Sequence, residues 1–254
     1  MKAIIIAAGR GSRLQHHTDE RPKCMVRVGG RSILDHQLEA YRAHGVDDLH
    51  IIRGYLAERL VVEGATYHAN PDWPDNNILQ SLFCADEALT GPMLVSYSDI
   101  VFTPEVVEAA LGTEHDIALV VDRHWHTSYE GRTDHPVEQA ELTRVDEGQV
   151  RRVGKHVGTE GALGEFIGLA YFSERGAKEL REAFAAARDT YALHDIFQNG
   201  RTFQKAYLCD LFEFMIQRGT TIGTAPIEGG WREIDTVEDL NAVETSLIRE
   251  TTFS

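Results

Sequence analysis

Mainly apolar runs of four to six residues alternate along the first half of this chain with stretches whose apolar positions recur at helical spacing. The first kind reads as buried strand and the second as amphipathic helix, and their alternation is the pattern of a parallel sheet covered by helices. Ala3-Ile4-Ile5-Ile6-Ala7-Ala8 opens as a strand, while Ile33, Leu34, Leu38 and Tyr41 mark a helix stopped by Gly45. Leu49 to Ile52 is the second strand, with Arg53-Gly54-Tyr55 as its exit. Met93 to Tyr97 and Ile117 to Val121 are the third and fourth, separated by a helix over Pro104 to Leu111 that proline opens. From about Trp125 to Gly164 the chain turns polar and glycine-rich, which predicts loops and short antiparallel strands. Phe166 to Phe172 returns as a strand. Helices are expected near 174–187 and 204–218, a late strand over Thr221 to Ile227, and a closing helix from Thr236. The expected fold is α/β: a three-layer, Rossmann-like, mostly parallel mixed sheet with helices on both faces, forming one domain over 1–254. No internal repeat, linker or low-complexity segment interrupts it.

The first strand breaks into Gly9-Arg10-Gly11-Ser12-Arg13-Leu14, followed by Arg21-Pro22-Lys23. A buried strand ending in a glycine-rich basic loop brings backbone N–H groups and cations against phosphate, and a side chain at Gly9 or Gly11 would obstruct that approach. Arg10, Arg13 and Lys23 supply charge. The loop lacks the G-x-x-x-x-G-K-[ST] phosphate motif, and Leu14 stands where a dinucleotide fingerprint has its third glycine, which weighs against an NAD-binding oxidoreductase.

Composition narrows the partners. With 254 residues and 43% hydrophobic content the chain can bury a full core. The formal charge of −15 repels nucleic acid, so a phosphate ligand must be small and held by local cations and a divalent metal. No apolar run reaches the length of a membrane span, the N-terminus is too short and uncharged for a signal peptide, and a cytoplasmic location without membrane contact is expected. Cys24, Cys84 and Cys209 are scattered and odd in number, which predicts free thiols and no cysteine-based zinc site. His16, His17, His124, His126 and His135 form no H-x-x-x-H pair and are expected at the surface among the twelve histidines.

Open parallel sheets bind ligands beyond the carboxyl ends of their strands. Asp99, just past Met93 to Tyr97, and Asp235, in Trp231-Arg232-Glu233-Ile234-Asp235-Thr236, are therefore the acidic residues of interest. Mg²⁺ takes one or two carboxylates with water and phosphate oxygens, so the pair can hold that ion; an ordinary N-cap is the competing reading of Asp235.

The string Ala7-Ala8-Gly9-x-Gly11-Ser12-Arg13-Leu14 with Pro22-Lys23 resembles the signature of nucleotidyltransferases that activate sugar phosphates and small phosphorylated alcohols. The likeness extends over nearly the whole chain and is closest to bacterial cytidylyltransferases acting on phosphocholine or on phosphonates. It is carried by Pro22-Lys23-Cys24-Met25-Val26, Gly54-Tyr55-Leu56, Asn76-Asn77-Ile78-Leu79-Gln80-Ser81-Leu82, Ser96-Tyr97-Ser98-Asp99-Ile100 and Gly164-Glu165-Phe166-Ile167-Gly168-Leu169. Ser98 departs from the glycine that precedes this aspartate in the sugar enzymes. The resemblance implies an Mg²⁺-dependent enzyme with Lys23, Arg13, Asp99 and Asp235 as catalytic residues and the two aspartates as metal ligands. It implies nucleotide contacts from Ala8, Gly9, Gly11, Ser12, Arg13, Lys23, Asn76, Asn77 and Ser81. Acceptor contacts fall to Lys155, Glu165, Asp122 and Arg123, with 125–170 supplying much of the acceptor lobe.

The activity so implied is transfer of CMP from CTP to the phosphate or phosphonate of a small non-sugar such as phosphocholine or 2-aminoethylphosphonate, releasing pyrophosphate. The acceptor is already ionised near neutral pH, so no general base is required. Trp125, Tyr129, Trp231 and Glu165 could surround an ammonium group, but single aromatics in loops are more often packing residues, and no cage is assigned. A sugar 1-phosphate nucleotidyltransferase is the alternative, marked by a hydroxyl-rich acceptor pocket. A non-catalytic nucleotide-binding regulator is the third reading, and the joint presence of Lys23, Asp99 and Asp235 weighs against it. A homo-oligomer is compatible with all three.

Overall fold

The computed structural model describes residues 1–252. Successive side chains of a strand point to opposite faces, and here both faces are covered. On one side Ile4 and Ile6 meet Val95, Leu119, Phe172 and Phe212; on the other Ala3 and Ile5 meet Leu34, Tyr41, Leu94 and Val107. That double burial accounts for the unbroken apolar runs and gives three layers.

The main sheet runs in the order Thr66–Ala69, Asp48–Arg53, Lys2–Ala7, Met93–Tyr97, Gly164–Phe172, and then Ile117–Asp122 and Gly223–Ile227. The first four are parallel. Gly164–Phe172 is antiparallel to both Met93–Tyr97 and Ile117–Asp122, so the sheet is mixed. Beyond the end of Met93–Tyr97, the start of this long strand pairs instead with Leu142–Asp146, which forms a hairpin with Gln149–Gly154. The polar 125–164 region thus contributes two antiparallel strands on the carboxyl-end side of the parallel sheet.

The long strand bends where its pairing jumps from Phe166 opposite Val121 to Ala170 opposite Leu119. Gly168 sits in this bulge at φ +83°, and a Cβ there would lie 2.5 Å from the Tyr97 ring. Glycine is required both for the backbone and for the ring behind it.

Helices cover the faces at Ile33–Ala43, Pro104–Leu111, Glu174–Thr190, Leu208–Gln217 and Val237–Thr252. The expected 204–218 helix starts later, because Phe203–Lys205 forms a separate 3-10 turn and Asp210 caps the backbone of Tyr207. The strand expected from Thr221 begins at Gly223. Thr66–Ala69 and the five-residue helix Ile78–Leu82 were not legible as elements: the first is a partly exposed edge strand without an apolar run, and the second is too short to show a period. Among the described residues, no helix is long and apolar enough to cross a membrane.

Candidate active site

A cleft of about 270 Å³ opens beyond the carboxyl ends of Lys2–Ala7 and Met93–Tyr97. Its floor is the strand-to-loop turn. Gly11 adopts φ +68°, and a Cβ on it would come within 2.7–2.9 Å of the Lys23 side chain, so the glycine lets the lysine pack under the loop. Gly9 has no such constraint: nothing lies within 4 Å of where its Cβ would be. The Ala8 carbonyl accepts from Tyr55 N–H at 2.9 Å, fixing the turn against the next strand's exit.

Lys23 is 7% exposed and donates to Asp99 Oδ2 at 2.8 Å and Asp235 Oδ1 at 2.6 Å. Burial alone would lower its pKa, but Asp99, Asp235 and Glu233 outweigh it and hold the ammonium protonated well above its ordinary range. Asp235 is likewise buried, which would raise its pKa. Lys23, His135 and Arg13 reverse that and hold the carboxylate far below its usual range. Arg13, half-exposed, completes the cluster as an ion pair on Asp235 Oδ2.

The meeting of Asp99 with Asp235 is a product of pairing remote in sequence. Trp231–Glu233 runs antiparallel to Ile100–Phe102, and Ile234 N–H donates to the Asp99 carbonyl at 2.8 Å. The N-cap role belongs elsewhere. Thr236 Oγ1 accepts from Asp239 N–H, and Asp239 Oδ2 accepts from the N–H groups of Asp235 and Thr236. The Asp235 carboxylate is left to face the cleft. Asp99 Oδ1 is buried with no hydrogen-bond partner among the described residues, and the two aspartates share one ammonium. Two hard oxygen donors this close, one with a free lone pair, suit a divalent cation of the Mg²⁺ type.

Opposite stands a second cation. Lys155 Nζ donates to Gln139 Oε1 at 3.1 Å and lies 4.9 Å from the Tyr207 ring centre. It lines the main cleft and a small inner recess of about 40 Å³, where Glu141, Glu165 and Trp231 also appear. Tyr97 O–H donates to Glu141 Oε2 at 3.2 Å, and Tyr129 O–H donates to Glu165 Oε1 at 2.6 Å. Burial pushes both carboxyls up, Glu141 to about 7 and Glu165 to about 8.

The remaining expected residues divide. Asn76, Asn77 and Ser81 line the cleft beside Trp73. Their side chains are tied to one another: Asn76 and Asn70 exchange two amide hydrogen bonds at 3.0 Å, Asn70 donates to Ser81 Oγ at 2.8 Å, and Asn77 caps Ile78–Leu82. Ser12 is exposed and is not among the residues lining the cleft; Arg10 turns outward to Asp19. Asp122 and Arg123 are not brought to the cleft either. Asp122 is 1% exposed and accepts from the N–H groups of His124 and Gly229 and from Trp231 Nε1, anchoring loops behind the site. Arg123 is exposed, with its backbone N–H on the Ile227 carbonyl.

One expectation is reversed. His16, His124 and His126 are exposed, but His135 is 2% exposed, with Nδ1 3.3 Å from Asp235 Oδ2. Its partners lie about a hundred residues away, so no local spacing reveals it. Glu233 and Arg132 were missed for the same reason: Arg132 bonds Asp239 Oδ1 at 2.6 Å and Glu233 Oε2 at 3.1 Å, strapping the 124–137 segment to the closing helix.

Residues 3–199 match the model of the MobA-like NTP transferase domain. The chain belongs to this family. The transferase is 29% identical to a CTP:phosphoglutamine cytidylyltransferase of Campylobacter jejuni over 94% of this chain and 98% of that protein. It is 26% identical to a 2-aminoethylphosphonate cytidylyltransferase of Lancefieldella rimae over 70% of this chain and 69% of that one. Among solved structures it superimposes on a CTP:phosphocholine cytidylyltransferase of Streptococcus pneumoniae with a TM-score of 0.73, at 21% identity, covering 97% of this chain and 98% of the other. The transferase is an enzyme of the nucleotidyltransferase class, with the mixed sheet and flanking helices of nucleotide-diphospho-sugar transferases.

Proposed function

We propose that this transferase moves CMP from CTP to the phosphate or phosphonate of a small non-sugar acceptor and releases pyrophosphate. The observation that carries the reading is the presence of two lysines in one cleft: Lys23, clamped by Asp99 and Asp235 beside the glycine turn, and Lys155, on the far wall beside Gln139 and Tyr207. One cation for the triphosphate and one for the acceptor phosphate is what joining two phosphorylated substrates needs. The end-to-end likeness to a CTP:phosphoglutamine enzyme supports CTP as donor and a phosphorylated non-sugar as acceptor. The acceptor wall is lined by Glu141, Glu165, Phe166 and Trp231 and bears one hydroxyl, that of Tyr97, which is spent on Glu141; a wall this acidic and aromatic favours the same class over sugar 1-phosphates.

The chemistry needs alignment and charge. The acceptor oxygen attacks the α-phosphorus already ionised, so no side chain need accept a proton. Lys23 and Arg13 offset charge on the triphosphate and the departing pyrophosphate, and Lys155 orients the acceptor. Asp99 and Asp235 would hold Mg²⁺, which supplies further charge neutralisation at the phosphates when bound. Trp73, Asn76 and Asn77 form the wall available to the base.

Pyrophosphate release with Mg²⁺ tests this, crossing CTP, UTP, GTP, ATP and dTTP against phosphocholine, 2-aminoethylphosphonate, an amide-bearing phosphate ester and glucose 1-phosphate. Turnover with CTP and a non-sugar is expected. Turnover confined to the sugar phosphate would overturn the reading.

A further inference from the structure

We propose that Asn70 is a positioning residue for the nucleobase: it locks the side-chain amide of Asn76 in one orientation and so decides which pyrimidine triphosphate the cleft accepts. The inference rests on the reading above that the base lies against Trp73, Asn76 and Asn77, and it adds a means of telling cytosine from uracil.

Asn70 follows the edge strand Thr66–Ala69, is 2% exposed and is not among the residues lining the cleft. A primary amide has two N–H donors and two carbonyl lone pairs, and all four of Asn70's are used. Oδ1 accepts from Asp72 N–H at 3.1 Å and from Asn76 Nδ2 at 3.0 Å, while Nδ2 donates to Asn76 Oδ1 at 3.0 Å and to Ser81 Oγ at 2.8 Å. Two of these partners fix which end is which. A backbone N–H can only donate, so the atom facing Asp72 N–H is the carbonyl oxygen. The Ser81 hydroxyl spends its proton on the Asn77 carbonyl at 3.0 Å, so what it takes from Asn70 is an N–H. With Asn70 set, the pair of amide hydrogen bonds sets Asn76. Turning Asn76 over would bring N–H against N–H and carbonyl against carbonyl, losing both bonds against a partner that water does not reach.

Asn76 lines the cleft, and its amide keeps one N–H and one carbonyl lone pair without a partner among the described residues. Cytosine carries an amino donor where uracil carries a carbonyl acceptor. An amide free to turn serves either base, presenting oxygen to one and nitrogen to the other. A locked amide serves one of them and sets like against like for the other. With CTP as donor, the Asn76 carbonyl is the group held ready for the cytosine amino group.

The test is calorimetric titration of the full chain with CTP and with UTP, in Mg²⁺ and without acceptor. The parent should bind CTP about 10-fold or more tighter than UTP, the scale of one hydrogen bond replaced by a contact of like groups. Asn70→Ala frees Asn76, and Asn70→Asp offers it two equivalent acceptors, so each should bring the two affinities to within about 3-fold. In Asn70→Ala this should come through tighter UTP binding, a gain that loosened packing does not give, with inorganic tripolyphosphate bound as by the parent. Thermal melts show which variants are folded, and the near-isosteric Asn70→Asp carries the test if Asn70→Ala is not. Equal affinities in the parent, or an undiminished ratio in a folded variant, would overturn the lock. A parent that prefers UTP, with the preference erased in the variants, would keep the lock and overturn CTP as the donor, so the two failures are distinguishable.

Discussion

Asp235, on the glycine-loop wall of the cleft, is buried and yet held far below the usual carboxylate range; on the opposite wall the equally buried Glu141 and Glu165 are pushed up to about 7 and about 8. Burial is the largest influence in all three, and it always raises a carboxyl. What differs is the company. Asp235 has Lys23, His135 and Arg13 around it, whereas Glu165 has a phenol for its nearest partner and Glu141 has a phenol and Lys155. The glycine-loop wall therefore keeps Asp235 ionised, suited to holding a cation beside a triphosphate. The other is in balance near neutral pH, where a carboxyl can donate or accept a hydrogen bond according to what the acceptor offers.

Lys23→Met breaks the first wall and should have the largest effect. It strands Asp99 and leaves Asp235 with Arg13 and His135 alone, a loss of about 3–5 kcal/mol for a broken buried pair, and it should lower the melting temperature together with turnover, read by calorimetry and pyrophosphate release. Asp99→Asn is gentler: turnover should fall by about two to three orders of magnitude, as for one preorganised electrostatic group, with the melting temperature nearly kept. Near-normal activity would remove Asp99 from the site. Lys155→Ala acts on the second wall alone and should raise the acceptor KM by about 10- to 100-fold, the scale of one charge-assisted hydrogen bond.

Stability against pH sharpens the contrast. The folded chain holds the Glu165 proton more tightly than an unfolded one, with its pKa moved from 4.5 to about 8. Protonation therefore favours the folded state, and stability should fall as pH rises between those values. Glu165→Gln should flatten that slope in melting temperatures taken across it; an unchanged slope would mean Glu165 is an ordinary carboxylate. The smallest effect is expected at Arg123→Ala, within about 0.5 kcal/mol and without change in either KM, because the side chain lies on the surface.

The legibility of the chain divides along the same line. Gly9 through Lys23 is contiguous, follows a strand buried on both faces, and announces its chemistry locally; Asp99 follows from its place past a strand end. Asp235 was ambiguous in sequence because an aspartate before a helix also caps it, and only the Thr236 and Asp239 hydrogen bonds free its carboxylate. The lobe wall was less legible. Lys155 and Glu165 were reachable through the resemblance alone, while Glu141, Arg132 and His135 act through partners brought near by tertiary pairing, as Arg132 does with Asp239. Asp122 shows the converse: an acidic residue at a strand end, in the position that suggests a ligand, whose Oδ1 is occupied by two loop N–H groups and whose Oδ2 is occupied by the Trp231 indole N–H.

The division of labour between the walls is the central claim, and calorimetric titration of Lys155→Ala with CTP in Mg²⁺ tests it most directly. Lys23, Asp99 and Asp235 are intact in that variant, so CTP should bind as it does to the parent chain. A loss of CTP affinity comparable to the loss of acceptor affinity would contradict the account and put Lys155 on the nucleotide.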